Sequence, residues 1–331
     1  MQVLKMAWVI AWVTLSVTLR RLLKGPRHPV WTWRAEVVAR VMRAQSHRDT
    51  HDDPARVRAM MLDAPIPRQL ARALTLEEIQ LAGLPTSRFT PAGWSHGGAT
   101  ILYLHGGGYV FCSPGTHRDL VARLAHAADA RCLSLDYRLA PEHPFPAAVD
   151  DGLAAYKAAL DASPPERLII AGDSAGGGLA LATLLRARAA GLPMPAAAVL
   201  MSPWVDLTVS GHSALSNAPF CFLNKAILDR YTLHYLQGHD PLDPLASPIR
   251  ADLTGLPPMM ILTGDAEALY SEDVDLARRA PEHGVDVDLV VAPGMIHAWP
   301  ALAPVLPEGR AAIERIASFI KSTLARSPSH A

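Results

Sequence analysis

Ser174, with His297 and the acids near residue 265, has the residue types and chain order for covalent acyl chemistry. Ser174 lies in Gly172-Asp173-Ser174-Ala175-Gly176, a G-x-S-x-G pentad between the apolar run Leu168 to Ala171 and a helical pattern over residues 175 to 190. A tight strand-to-helix turn lifts a serine hydroxyl clear of the sheet, where a base can reach it. Gly172 and Gly176 suit that turn because a Cβ would crowd it. The helix behind Ser174 directs free N–H groups and its positive dipole end at the site. A phosphate-binding loop fits less well, because no Gly-Lys-Ser/Thr follows. A serine hydroxyl needs a base, and the base needs an orienting carboxylate. His297, in the loop Pro293 to His297 before the last helix, stands where that base belongs in the order serine, acid, histidine. Asp265 and Glu267 follow the strand Met259 to Leu262 closely enough to reach a histidine on the neighbouring loop. Glu272, Asp273 and Asp275 open a helix, where acids are common for dipole reasons alone.

A second glycine-rich stretch belongs with this set. The apolar strand Thr100 to Leu104 runs into His105-Gly106-Gly107-Gly108-Tyr109. Consecutive glycines let backbone approach a ligand with exposed N–H groups, and a loop of this kind supplies donors to a developing oxyanion. His105 is expected to anchor the loop rather than to act as the base.

These residues need elements to hold them. From residue 100 the chain alternates: helix His117 to Ala128, strand Arg131 to Leu135, helix Ala147 to Leu160, strand Leu168 to Ala171, helix 175–190, strand Ala196 to Met201. Strands separated by helices predict a parallel sheet covered on both faces, with the site off the C-terminal strand ends. Trp204 to Leu245 interrupts the alternation with a helical piece, Lys225 to Leu236. Strand Met259 to Leu262, helix Ser271 to Ala280, strand Val285 to Val291 and helix Glu308 to Leu324 resume it. Pro281 is expected to end its helix by Ala280, since proline costs about 3 kcal/mol inside a helix. Residues 1–90 read as helices and connections outside any regular sheet, with a helical pattern over Trp33 to Arg43, a break at Pro65-Ile66-Pro67 and no assignment for Leu76 to Gly83. The expected organisation is therefore an N-terminal helical segment over 1–90, core over 91–202, a cap insertion over 203–247, core again over 248–326 and a tail over 327–331.

Composition narrows the partners. Lys plus Arg and Asp plus Glu number 31 each, so no basic stripe calls for nucleic acid. Three cysteines (Cys112, Cys132, Cys221) read as buried thiols in a reducing, cytoplasmic setting rather than a disulfide framework, and zinc-ligand spacings are absent. Met6 to Leu19 is a 14-residue uncharged run between Lys5 and Arg20-Arg21. That is short of the roughly 20 residues a membrane-spanning helix needs. Three readings remain: a helix packed on the protein itself, interfacial membrane contact through Trp8, Trp12 and the flanking cations, or a cleaved signal without its usual small-x-small site.

Taken together, the motifs resemble the hormone-sensitive-lipase-like, or GDXG, branch of the α/β-hydrolases, the bacterial carboxylesterases. The matching segments are His105-Gly-Gly-Gly108, Asp136-Tyr-Arg-Leu-Ala-Pro-Glu142, Gly172-Asp-Ser-Ala-Gly-Gly177, Ser202-Pro-Trp-Val-Asp206 and Gly294-Met-Ile-His297. The resemblance implies an α/β-hydrolase fold: a mostly parallel central sheet, helices on both faces and a helical cap made from the N-terminal segment and the insertion. It implies Ser174 as nucleophile, His297 as base and backbone N–H donors from Gly107, Gly108 and Ala175. The family's Asp-Pro-Leu-x-Asp-Glu run is replaced here by Glu267-Ala-Leu-Tyr-Ser-Glu272, which puts Glu267 in the place of the acid, with Asp265 as the alternate. The implied activity is hydrolysis of short-chain acyl esters with no cofactor and no metal. A lactone hydrolase or small-molecule deacetylase with the same triad is the alternative; a non-catalytic binding module is disfavoured because His297 is present. A small-molecule ester is the expected partner, a homodimer is plausible by resemblance, and Trp204, Phe220, Phe222 and Trp94 are candidates to line the pocket or the cap core.

Overall fold

The apolar runs become the strands that carry the site. The computed structural model describes residues 2–49 and 53–326, so the expected tail at 327–331 lies outside the described residues. The helices are α1 Gln2–Lys24, α2 Trp33–Asp49, α3 Pro54–Met60, α4 Arg68–Ala73, α5 Arg118–Ala128, α6 Ala147–Ala162, α7 Ala175–Ala189, α8 Ser213–Ser216, α9 Lys225–Leu236, α10 Tyr270–Arg279 and α11 Pro307–Arg326. The strands are β1 Leu74–Leu81, β2 Leu84–Pro91, β3 Thr100–Leu104, β4 Arg131–Leu135, β5 Leu168–Asp173, β6 Ala197–Met201, β7 Met259–Gly264 and β8 Val287–Ala292. They form one sheet in the order β1-β2-β4-β3-β5-β6-β7-β8. Strands β3 to β8 are parallel, while β2 runs antiparallel to both β1 and β4.

Every residue of β3, β4, β5, β6 and β7 is buried, as a parallel sheet covered on both faces requires. One face packs α6 and α7 through Ala155, Leu179 and Leu184, against Leu102 and Ile170. The other packs α5 and α11 through Leu124, Ile316 and Ile320, against Ile101 and Ile169. The expected end of α10 holds: the α-helix stops at Arg279 and a single 3₁₀ turn carries Pro281 into Gly284.

One expectation is corrected. Residues 1–90 are not outside the sheet, because β1 and β2 form a hairpin that pairs Thr86–Phe89 with Cys132–Leu135. This edge carries little apolar pattern. Strand β1 exposes most of its residues, including Glu77 and Glu78, which is how an edge strand resists pairing with another chain. The run Met6 to Leu19 is the middle of α1, and Val9, Val13 and Val17 pack it on Val37, Val41 and Ala44 of α2.

Candidate active site

The β5-to-α7 turn places Ser174 at φ 54°, ψ −125°, a conformation L-residues rarely adopt. Hydrogen bonds hold it there. The Ser174 N–H donates to Met201 O at 2.8 Å, and the Ser174 carbonyl accepts from Trp204, Gly177 and Gly178. Gly176 must be glycine, because a Cβ there would fall on the carbonyl oxygen of Leu104. The turn points Ser174 Oγ at His297 Nε2, 2.8 Å away. His297 sits in the loop between β8 and the turn Trp299–Leu302, and both side chains are nearly buried.

The two candidate acids separate in space. Glu267 is fully buried, and its Oε1 faces His297 Nδ1 at 3.6 Å. Among the described residues neither atom has a hydrogen-bond partner of its own. The gap exceeds an ordinary N–H···O bond, but such contacts often tighten only when substrate binds. The other oxygen, Oε2, accepts from Ser202 Oγ at 2.7 Å and from the Gly264 N–H at 3.1 Å. Asp265 instead accepts the Gly294 N–H at 2.6 Å, tying its loop to the one that carries His297. The structure thus brings Ser174, His297 and Glu267 together and leaves Asp265 as a staple between loops. Ser202 was quoted in the sequence only as part of a motif. Its hydroxyl also accepts the Ala298 N–H at 3.0 Å, so one side chain links the acid to the loop of the base.

The glycine loop after β3 lies against the same turn, with Gly106 beside Asp173 and the His105 carbonyl beside Gly176. Gly107 has φ 115°, open only to glycine. Within the described residues the N–H groups of Gly107, Gly108 and Ala175 have no acceptor, which leaves them free for an oxyanion. Asp173 anchors this loop. Its carboxylate accepts from Tyr103 Oη at 2.5 Å and from the Gly106 N–H at 3.0 Å, and lies 3.3 Å from His117 Nε2. Burial alone would raise the Asp173 pKa. The adjacent His117 and the hydrogen bonds from His117 and Tyr103 outweigh it and hold the carboxyl at about 2. His105 is buried and stacks on Tyr137 at 4.3 Å, and burial drops its pKa to about 3, so it stays neutral and structural as expected.

Behind Glu267 lie two more buried carboxyls. Glu272 accepts the Val205 N–H at 2.8 Å. Burial pushes Glu272 well above the ordinary range; burial and then the charges of Glu267 and Glu272 do the same to Asp273. Cys221, buried beside the site, is pushed up to about 11 by burial and Glu267, so it remains a thiol.

The aromatic candidates divide. Phe222 meets the His297 ring edge-on at 5.7 Å, and Phe220 packs on Trp31 in the layer above. Trp204 is core, close to Tyr109. Trp94 is not at the site. It lies under the Arg131 guanidinium and donates to Ala99 O, before the start of β3. Sequence reasoning missed Tyr231, whose ring lies against Gly108 and Phe111 and brings α9 onto the glycine loop. No group of three or more His, Cys, Asp or Glu among the described residues is placed to hold a metal ion.

Comparison with known proteins agrees with this geometry. A family model described as alpha/beta hydrolase fold matches residues 101–301. An acetyl-hydrolase of Streptomyces hygroscopicus is 48% identical over 227 residues, 68% of this chain and 76% of the relative. An esterase crystal structure from the bacterial hormone-sensitive lipase family superposes with TM-score 0.75 at 37% identity, over 96% of this chain and 98% of the other. The chain belongs to the hormone-sensitive-lipase-like branch of the α/β-hydrolases. It is a carboxylic ester hydrolase. The esterase EstE5, in a crystal soaked with p-nitrophenyl butyrate, matches this hydrolase with TM-score 0.83 at 40% identity, over 88% of this chain and 99% of its own.

The carboxyl groups of this esterase make three predictions. Glu267→Ala should lower kcat for p-nitrophenyl butyrate by about 10⁴-fold, as loss of a triad acid does. Asp265→Ala should keep kcat within about tenfold and instead cost about 2 kcal/mol of stability through the lost bond to Gly294. A raised carboxyl pKa contributes stability below its unfolded value that is lost as pH rises towards its native value. Asp273→Asn should therefore gain on wild type from about pH 4 upward, by up to about 1.4 kcal/mol per pH unit, read from urea midpoints across a pH series.

Proposed function

We propose that this esterase hydrolyses short-chain acyl esters through an acyl-enzyme on Ser174. The observation that carries the reading is the 2.8 Å contact between Ser174 Oγ and His297 Nε2; the N–H groups of Gly107, Gly108 and Ala175, without acceptors among the described residues, support it. As Ser174 Oγ attacks the ester carbonyl, His297 Nε2 takes its proton. The imidazolium then has Nδ1–H directed at the Glu267 carboxylate. The carbonyl oxygen, now carrying the charge, is held by the N–H groups of Gly107, Gly108 and Ala175; one such donor is worth about 3 kcal/mol in the transition state. His297 returns the proton to the leaving alcohol. Water, deprotonated by the same imidazole, then attacks the acyl-enzyme and frees Ser174.

Short acyl groups suit the surroundings. Phe222 borders His297, Tyr231 borders Gly108, and Ser174 is only 8% exposed, which supports a small acyl group. The similar esterase EstE5 was soaked with p-nitrophenyl butyrate, an ester of this size class. The Streptomyces acetyl-hydrolase favours a second reading, removal of an acetyl group from one particular small molecule. The three cysteines stay unpaired, which suits a cytoplasmic site of action.

Turnover of p-nitrophenyl acetate, butyrate and decanoate, a lactone and an acetamide by the purified enzyme separates these readings. The expected result is kcat/KM for butyrate at least about tenfold above decanoate, with slow lactone and amide turnover, since each misfitted methylene costs about 1–3 kcal/mol. Turnover confined to acetyl compounds would favour the deacetylase. Equal or faster decanoate turnover would contradict the short-chain reading.

A further inference from the structure

Helix α1 carries apolar side chains on two sides. Val9, Val13 and Val17 form its seam with α2. On the opposite side Trp8, Trp12, Leu15, Leu19, Leu22 and Leu23 are all exposed, Trp8 by 69% and Leu23 by 82%. At 3.6 residues per turn these six side chains fall within an arc of about 100°. Trp8 and Trp12 stack in parallel along this stripe, ring centroids 6.1 Å apart. A continuous run of large apolar side chains in water marks a surface meant to be covered.

The charge around the stripe indicates what covers it. The first 49 residues hold nine Lys and Arg against two acids, within a chain whose total charge is zero. Arg20, Arg21 and Arg27 all converge on the single buried Glu36, which leaves this end of α1 with an excess of positive charge. Lys24 and Arg34 add exposed cations beside it. Burial, and after it the neighbouring cations, lower the Arg27 and Arg40 pKa values. Tryptophan and leucine on one side, cations at the rim and a length too short to cross describe a helix lying in a lipid interface. No helix among the described residues is long and apolar enough to span a membrane.

We propose that the outer face of α1 docks the enzyme on an anionic lipid surface, with Trp8, Trp12, Leu15, Leu19, Leu22 and Leu23 entering the headgroup region. The α1–α2 pair is well tied to the body. Trp31 Nε1 donates to Gly294 O, Arg43 Nη1 donates to Cys221 O at 3.0 Å, and Ser46 Oγ donates to Phe222 O at 2.9 Å. Helix α2 therefore lies between the lipid face and the segments that carry Phe222 and His297.

The test is co-sedimentation of the full chain with vesicles of equimolar phosphatidylglycerol and phosphatidylcholine, and with phosphatidylcholine alone. The comparison protein is Trp8→Ser/Leu15→Ser/Leu22→Ser/Leu23→Ser, which changes exposed positions only; Lys24→Glu/Arg34→Glu is a second variant for the charge. Wild type should partition to the anionic vesicles at least about tenfold more than to neutral ones, and each variant should lose about tenfold. Hydrolysis of p-nitrophenyl acetate should stay within about twofold of wild type in all variants, because none of these residues touches the site. Equal sedimentation of wild type and the serine variant would overturn the proposal. So would a wild-type dimer by light scattering that ignores vesicles and dissociates in the serine variant, since a second copy would then cover the face.

Discussion

The backbone of Ser174 is the constraint on which the site depends. A serine at φ 54°, ψ −125° costs about 1–3 kcal/mol and persists only where its surroundings hold it. Here they do so through four hydrogen bonds to its N–H and carbonyl, from β6, the segment after it and the first turn of α7. Other non-glycine residues near the site also adopt positive φ: Tyr109 in the glycine loop, Ser202 at the end of β6 and Ala298 after His297. Strain is thus gathered at the strand ends, where chemistry needs side chains and N–H groups aimed at one point. The buried sheet, packed on both faces, resists its relaxation.

Buried carboxyls complete the frame, and each is kept in a different way. Asp173 stays ionised because His117, Tyr103 and a backbone N–H surround it, and so it fixes the glycine loop. Glu267 spends one oxygen on Ser202 and Gly264 and turns the other towards His297. Glu272 and Asp273, pushed up by burial, favour the neutral acid and so reduce the negative charge behind Glu267. Ser202 couples this cluster to the histidine loop, since its one hydroxyl bonds both the Glu267 carboxylate and the Ala298 N–H.

Much of this was legible in the sequence because local and global signals agree. Strands β3 to β8 are short apolar runs closed by glycine, proline or polar turns. The nucleophile and glycine-loop motifs follow strands, as their chemistry demands. The β1–β2 hairpin was not legible, since the exposed edge strand β1 breaks its apolar alternation at Glu77-Glu78, and the place of the hairpin is decided by pairing of β2 with β4, distant in the chain. Residue spacing alone left Asp265 and Glu267 both open, and only the family resemblance favoured Glu267. They lie two positions apart, and the backbone path after β7 decides which carboxylate turns to His297. Trp94 misled because an aromatic near the first core strand gives no sign of which strand end it faces.

The measurement that bears most directly on the account is the site of covalent modification by a sulfonyl fluoride, which reacts with an activated serine. Peptide mapping by mass spectrometry should find one adduct, on Ser174, accumulating in step with the loss of ester hydrolysis and absent from Ser174→Ala. Loss of activity with the adduct on Ser202 or another residue, and Ser174 left unmodified, would contradict it.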